Sequence, residues 1–191
     1  MKFYFCASAR GHKKLKEDYL GICGVMEEMG HQNLDDLATT VNPDSFYEGS
    51  HGDQIGHYER TIKNVKLSDV VVLELSTHSL SMGYIMQKAL ESGKSVIALY
   101  QGDNYPHFAL GIDNDKLQII EYGKDNLKES LKNALEFAKD QSDIRFNFFI
   151  SPTIANYFDW IAKNKRIPRS VYLRRLIEAD MKANTEYEKV A

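Results

Sequence analysis

Two periods of apolar and polar residues alternate along the first 140 positions. Short runs rich in β-branched and aromatic residues predict strands at Lys2–Cys6, Val70–Leu75, Ser95–Tyr100 and Leu117–Glu121. Between them, apolar residues three and four apart predict helices. Leu15, Tyr19, Ile22, Cys23 and Met26 mark one over 15–29, stopped by Gly30. Tyr58–Leu67, Leu80–Ser92 and Asn126–Ala138 read as three more. Residues 31–56 are polar and turn-rich (NPDSFYEGSHGD) and predict one weak strand and a mobile loop. Val70–Leu75 is apolar without a break, as a strand buried on both faces should be. Strands alternating with helices predict an α/β domain with a flavodoxin-like or Rossmann-like parallel sheet and helices on both faces.

The pattern changes after Asp140–Asp143. Arg145–Ile150 (RFNFFI) alternates as a strand, Ser151-Pro152 starts a helix to about Asn164, and Ile167-Pro168 makes a turn. A second helix starts at Ser170, with Val171, Leu173, Leu176, Ile177 and Met181 as its apolar positions. One strand and two helices in about 40 residues bury little core alone, so this module needs a second copy of itself. The expected domains are therefore 1–141 and 144–191. Charge follows the same division: residues 144–191 hold nine Lys/Arg and five Asp/Glu, the remainder fifteen and twenty-two.

Composition adds limits. Hydrophobic residues make up 43% and charged residues 27%, ordinary for a globular protein. No apolar run approaches the roughly 20 residues that span a bilayer, so no membrane partner is expected. The start, MKFYFCASARGHKK, has too short an apolar core for a secretory signal. Cys6 and Cys23 form neither a metal spacing nor a disulfide framework, which suits a reducing cytoplasm. No cofactor or metal is expected, and Asp113 and Asp115 sit in a stretch too short for a calcium loop.

Candidate chemistry lies where strands end, since ligands of open α/β sheets sit beyond the carboxyl ends. ASARGHKK follows the first strand and STHSLSMG follows the strand at 70–75. Both offer hydroxyls and backbone N–H groups leading into a helix N-terminus, a setting that favours a phosphate. Arg10 adds a charge-assisted contact. Taken alone, the Ser and Gly residues equally describe caps and tight bends.

FYFCASARG (Phe3–Gly11) and DVVVLELSTHSLSMGY (Asp69–Tyr84) resemble the nucleoside 2-deoxyribosyltransferase family, and within it the 2'-deoxynucleoside 5'-monophosphate N-glycosidases. The resemblance runs, more loosely, to about residue 140. It implies that Ser8, Arg10, Gly11 and Ser79 hold a 5'-phosphate, with Gly83 in the same turn, and that Tyr4 and Glu74 line the sugar side. It also exposes departures. The Glu that closes the family's GVGYE motif corresponds to Ile85. A second family carboxylate, eight residues before the Asp of DVVV, corresponds to Thr61. The family's later serine segment reads PHFALG (Pro106–Gly111) here. Glycosidic cleavage relies on carboxylates to stabilise charge and move protons, so no catalytic residue is assigned. Asp53, Glu59, His51, His57 and His78 are read as surface or loop groups.

RFNFFISPTIANYFDWIAKNKRIPRSVYLRRLIEADMKA resembles the ribbon-helix-helix family, whose members pair strands of two chains into a ribbon with four helices around it. That resemblance implies a homodimer or higher homo-oligomer. Phe146, Phe148 and Ile150 would face the core, with Ser170 as cap of the second helix and Tyr157 and Trp160 in the small core. It places Arg145, Asn147 and Phe149 toward duplex DNA, with Arg169 and Ser170 at the phosphates. Phe149 departs from the polar residue usual there. Three readings follow. The first is a binder of a nucleotide or other phosphorylated small molecule, with an inactive pocket, coupled to a DNA-binding regulatory module. The second is an active N-glycosidase or deoxyribosyltransferase with a relocated carboxylate, the ribbon serving only to dimerise it. The third is a catalytically silent interaction protein.

Overall fold

The computed structural model describes residues 1–140, 149–165 and 167–184. The chain divides into two compact units, Met1–Asp143 and Ile144–Ala191. In chain order the first contains β1 (Lys2–Ala7), α1 (His12–Glu28), β2 (Gln32–Asn33), α2 (Leu37–Thr40), α3 (Pro43–Phe46) and α4 (His51–Leu67). It continues with β3 (Val70–Glu74), α5 (Leu80–Glu91), β4 (Ser95–Tyr100), β5 (Leu117–Glu121) and α6 (Leu127–Asp140).

The five strands form one parallel sheet in the order β2-β1-β3-β4-β5, as the alternation of strands and helices predicts. The order in which strands are added reverses between β1 and β3, the switch point at which such sheets open a crevice. The register pairs Tyr4 with Val71 and Ala7 with Glu74. Side chains alternate between faces along each strand. Phe3, Phe5, Val70, Val72, Ile97 and Leu99 pack with residues of α1 and α6 in one cluster. Tyr4, Cys6, Val71, Leu73, Val96 and Ala98 pack with residues of α4 and α5 in another. All five residues of β3 are buried, which is why its sequence shows no polar face. Each such Val or Leu contributes roughly 1.5–3 kcal/mol by leaving water.

Helix spacing matches this two-sided cover. Tyr19, Ile22, Cys23 and Met26 are the buried stripe of α1. Met82, Ile85, Met86, Ala89 and Leu90 are that of α5. The region expected to be a loop to residue 56 is more ordered than its composition suggests. The helix expected from Tyr58 begins at His51, because Ser50 and Asp53 cap it reciprocally.

The second unit contains α7 (Pro152–Asn164) and α8 (Arg169–Ala183). Ser151 caps α7, its Oγ accepting from the Ile154 N–H. Ser170 does not cap α8: the helix starts at Arg169 with Pro168 as its N-cap, which leaves Ser170 inside the first turn. Tyr157 and Trp160 stack on each other but stay half-exposed rather than entering a core. A two-helix hairpin has one inner face, and Phe158 and Ile161 are its buried residues. Of the expected strand 145–150, residues 145–148 lie outside the described residues, and Ile150 is exposed.

Candidate functional site

The turn between β1 and α1 is braced at one carbonyl. Ser8 O accepts from Gly11 N at 2.9 Å and from the Tyr19 hydroxyl at 3.3 Å. A Cβ on Gly11 would collide with the Tyr19 hydroxyl and Thr77 Oγ1, so only glycine lets this turn meet the one after β3. Ser8 is 2% exposed, and its Oγ has no hydrogen-bond partner among the described residues. A buried polar atom left so costs about 1–3 kcal/mol unless a water or a ligand meets it. Ser79 stands at the N-cap of α5 in extended conformation, and its side chain caps nothing. The N–H groups of the first turn of α5 therefore lack that partner.

Ser8 and Ser79 line one cavity of about 130 Å³, together with Tyr4, His57, Met82 and Ile85. A second cleft of about 430 Å³ shares Gln54, His57, Ser81 and Ile85 with it and runs out between α4 and α5 past Tyr58 and Tyr84. A groove of about 790 Å³ shares Ser79 and Met82 with the inner cavity and has Arg10, Gly83 and the exposed Leu80 and Phe108 in its wall. Arg10 rests over the Tyr47 ring at 5.3 Å, and Lys13 pairs with Asp44 at 2.5 Å. Both contacts fasten the α3 region to the turn after β1. Below it, Asp35 takes a two-pronged contact from Arg60 (2.5 and 2.6 Å) and accepts from Asn64 Nδ2 at 2.7 Å and Leu37 N at 2.9 Å.

On the sugar side, Tyr4 donates its hydroxyl proton to Thr61 Oγ1 at 3.2 Å. Burial raises the Tyr4 phenol, so it remains a donor, and pushes the Cys6 thiol up to about 12, where it is not a nucleophile. No Asp or Glu is among the described residues lining any of the three cavities. Glu74, expected beside Tyr4, is elsewhere. Its register partner is Ala7, so alternation turns it to the α1–α6 face, away from Tyr4 and Ile85. There it is fully buried, Oε1 accepting from Ser76 N (3.1 Å) and Tyr122 Oη (3.3 Å), while Oε2 has no partner among the described residues. Burial raises its carboxyl above the usual range.

His57, read from sequence as a surface group, lines both the inner cavity and the cleft, and Gln54 does so with it. Their signal was helical phase, since Gln54 and His57 fall on one face with Thr61. Of the other surface and loop groups, Asp53 is held in the α4 cap, and Glu59, Asp113 and Asp115 are exposed. Among the described residues no cluster of three His, Cys, Asp or Glu could hold a metal. In the second unit Arg145 and Asn147 lie outside the described residues. Phe149 is fully exposed, and Arg169 forms an ion pair with Asp159.

No protein-family model matches the chain. Among curated proteins, a 5-hydroxymethyl-dUMP N-hydrolase of Tetraodon nigroviridis is 27% identical over 137 residues, 70% of this chain and 96% of that protein. The enzyme of the same name from Danio rerio is 30% identical over 104 residues, 53% of this chain and 69% of that protein. The chain belongs to the 5-hydroxymethyl-dUMP N-hydrolase family. A solved CMP N-glycosidase of Clostridium botulinum aligns with a TM-score of 0.48 at 17% identity, covering 72% of this chain and 99% of that one, a likeness too slight to argue from.

The two positions at which the resemblance implies departures have places in the fold. Ile85 is 4% exposed and belongs to the α4–α5 cluster while forming cavity wall. Thr61, equally buried, is the partner of Tyr4. The segment at the family's later serine position ends in a 3-10 turn (His107–Gly111) that puts Phe108 on the rim of the large groove.

Proposed function

We propose that the N-terminal domain binds a nucleoside 5'-phosphate and leaves its glycosidic bond intact. Supporting the reading most is the wall of the 130 Å³ cavity, where Ile85 sits beside Tyr4 and Ser8 and no described residue is an Asp or Glu. A glycosidase needs a group there that stabilises positive charge at the anomeric carbon and one that moves a proton. Ile85 and Thr61 do neither, and Glu74 points to the opposite sheet face. The phosphate end keeps its parts: the unpartnered Ser8 Oγ, the α5 N-terminus at Ser79, and Arg10, whose contact with Tyr47 a phosphate would replace.

Thermal melting with each deoxynucleoside 5'-monophosphate, followed by chromatography of the same mixtures for released base, tests this. The expected outcome is a rise in melting temperature with at least one nucleotide and no released base. Steady base release by the pure protein would establish the N-glycosidase reading instead. For residues 144–191 we propose self-association through the exposed apolar positions of α7 and α8. Duplex DNA enters as a partner of that dimer through the excess of nine Lys/Arg over five Asp/Glu.

A further inference from the structure

The inner cavity is small, and the cleft it opens into is not. At about 130 Å³ the first is bounded by Ser8 and Ser79 at one end and by Gln54, His57 and Ile85 at the other. The same Gln54, His57 and Ile85, with Ser81, begin the 430 Å³ cleft, whose volume falls in the range of small-molecule sites. A ligand anchored by its phosphate near Ser8 thus passes Tyr4 and Ile85 and emerges between α4 and α5.

The cleft has two kinds of wall. Ile62, Leu80 and Ile85 are apolar, and Tyr58 and Tyr84 are held together by a hydroxyl–hydroxyl hydrogen bond of 3.1 Å, with ring centroids 6.1 Å apart. Such walls suit the flat faces of a heteroaromatic ring. Gln54 and His57, three residues apart on α4, form a polar strip. Gln54 Nε2 donates to Phe46 O at 2.9 Å; since a carbonyl only accepts, the amide orientation is fixed, and Oε1 as acceptor and the second Nε2 proton as donor are left for a ligand. His57 meets Phe46 edge-to-face at 5.1 Å, which fixes the ring plane. Burial lowers the His57 pKa, so at neutral pH the ring presents one donor and one acceptor.

We infer that Gln54 and His57 read the edge of a nucleobase seated in the α4–α5 cleft, and so determine which nucleotide this domain selects. The inference rests on the proposed nucleotide-binding reading and adds the residues that set its specificity. Gln54 Oε1 accepts from a base N–H or amino group, and the His57 ring completes the pair with the neighbouring acceptor or donor.

Calorimetric titration of the full chain with 2-deoxyribose 5-phosphate and with the four common deoxynucleoside 5'-monophosphates separates the two levels. At least one nucleotide should bind about tenfold or more tighter than the base-less sugar phosphate. Gln54→Ala with His57→Ala should reduce that advantage, read as the ratio of nucleotide to sugar phosphate affinity in the same variant, to within about threefold. His57→Phe, which keeps the ring against Phe46 and removes both nitrogens, should lose part of the advantage with an unchanged melting temperature, separating recognition from folding. Equal affinity of nucleotide and sugar phosphate for the wild type, or a double variant that keeps the full advantage, overturns the inference and leaves phosphate binding standing. No binding of any of these compounds overturns the binding reading, and the inference with it.

Discussion

Glu74 is a carboxyl with one oxygen hydrogen-bonded and the other without a partner among the described residues, on the α1–α6 face of the sheet. Its folded-state pKa lies above the unfolded value of about 4.3 because burial disfavours the charged form. The native state therefore holds a proton that the unfolded chain releases. Stability from this group is complete below the unfolded value and is lost as pH rises through the folded one, by about 1.4 kcal/mol for each unit of displacement. Glu74→Gln does not titrate and keeps an acceptor for Ser76 N and Tyr122 Oη. Urea unfolding at pH 4 and pH 8 should show the variant gaining on the wild type as pH rises; parallel behaviour would mean that the wild-type carboxyl is not held protonated. Tyr4 and Ser8, which line the inner cavity, were legible together because both lie in one turn-flanking motif. Glu74 was not, because the face it occupies depends on the β1–β3 register, which pairs residues far apart in sequence and leaves no mark in either strand alone.

At the scale of elements, what sequence hid was the start of α4. Gly49, Gly52 and Gly56 weaken helix propensity, and they masked the Ser50/Asp53 capping box that begins the helix at His51. The missed turns carry Gln54 and His57, so the cavity wall was missed with them. Every strand of the first domain except β2, and the helices α1, α5 and α6, were legible from apolar spacing, since each buries a stripe against one sheet face. The helix α4 buries little apolar area: its buried residues are Thr61, Asn64 and Val65. Arg60 and Asn64 both reach the Asp35 carboxylate, whose side chain is 3% exposed while that of Arg60 is 54% exposed. Arg60→Met should cost about 1.5–3 kcal/mol in urea unfolding, toward the low end because solvent screens the guanidinium. The same variant should weaken nucleotide binding, since α2 and α4 both contribute cavity wall. A stability change within error would show that Asn64 and Leu37 N suffice for Asp35.

For the whole molecule, the second unit poses the larger imbalance between apolar residues and cover. Phe158 and Ile161 are buried, while Ile154, Tyr157, Trp160, Leu176, Ile177 and Met181 are each between 41% and 53% exposed. Two helices in a stretch this short leave most of their apolar surface in water unless another surface meets it. A second copy of the same unit supplies such a surface by symmetry, with the same patch on both partners. Sedimentation equilibrium of the full chain at micromolar concentration should therefore report a dimer. Ile154→Glu with Ile177→Glu places a charge on each helix at half-exposed positions, leaving Phe158 and Ile161 in place, and should raise the dissociation constant about tenfold or more. Circular dichroism of the variant, taken where it is monomeric, should keep the helical signal of the first unit. A wild type that sediments as a monomer at every concentration would remove the self-association proposal, and with it the dimer on which the proposed duplex DNA binding depends.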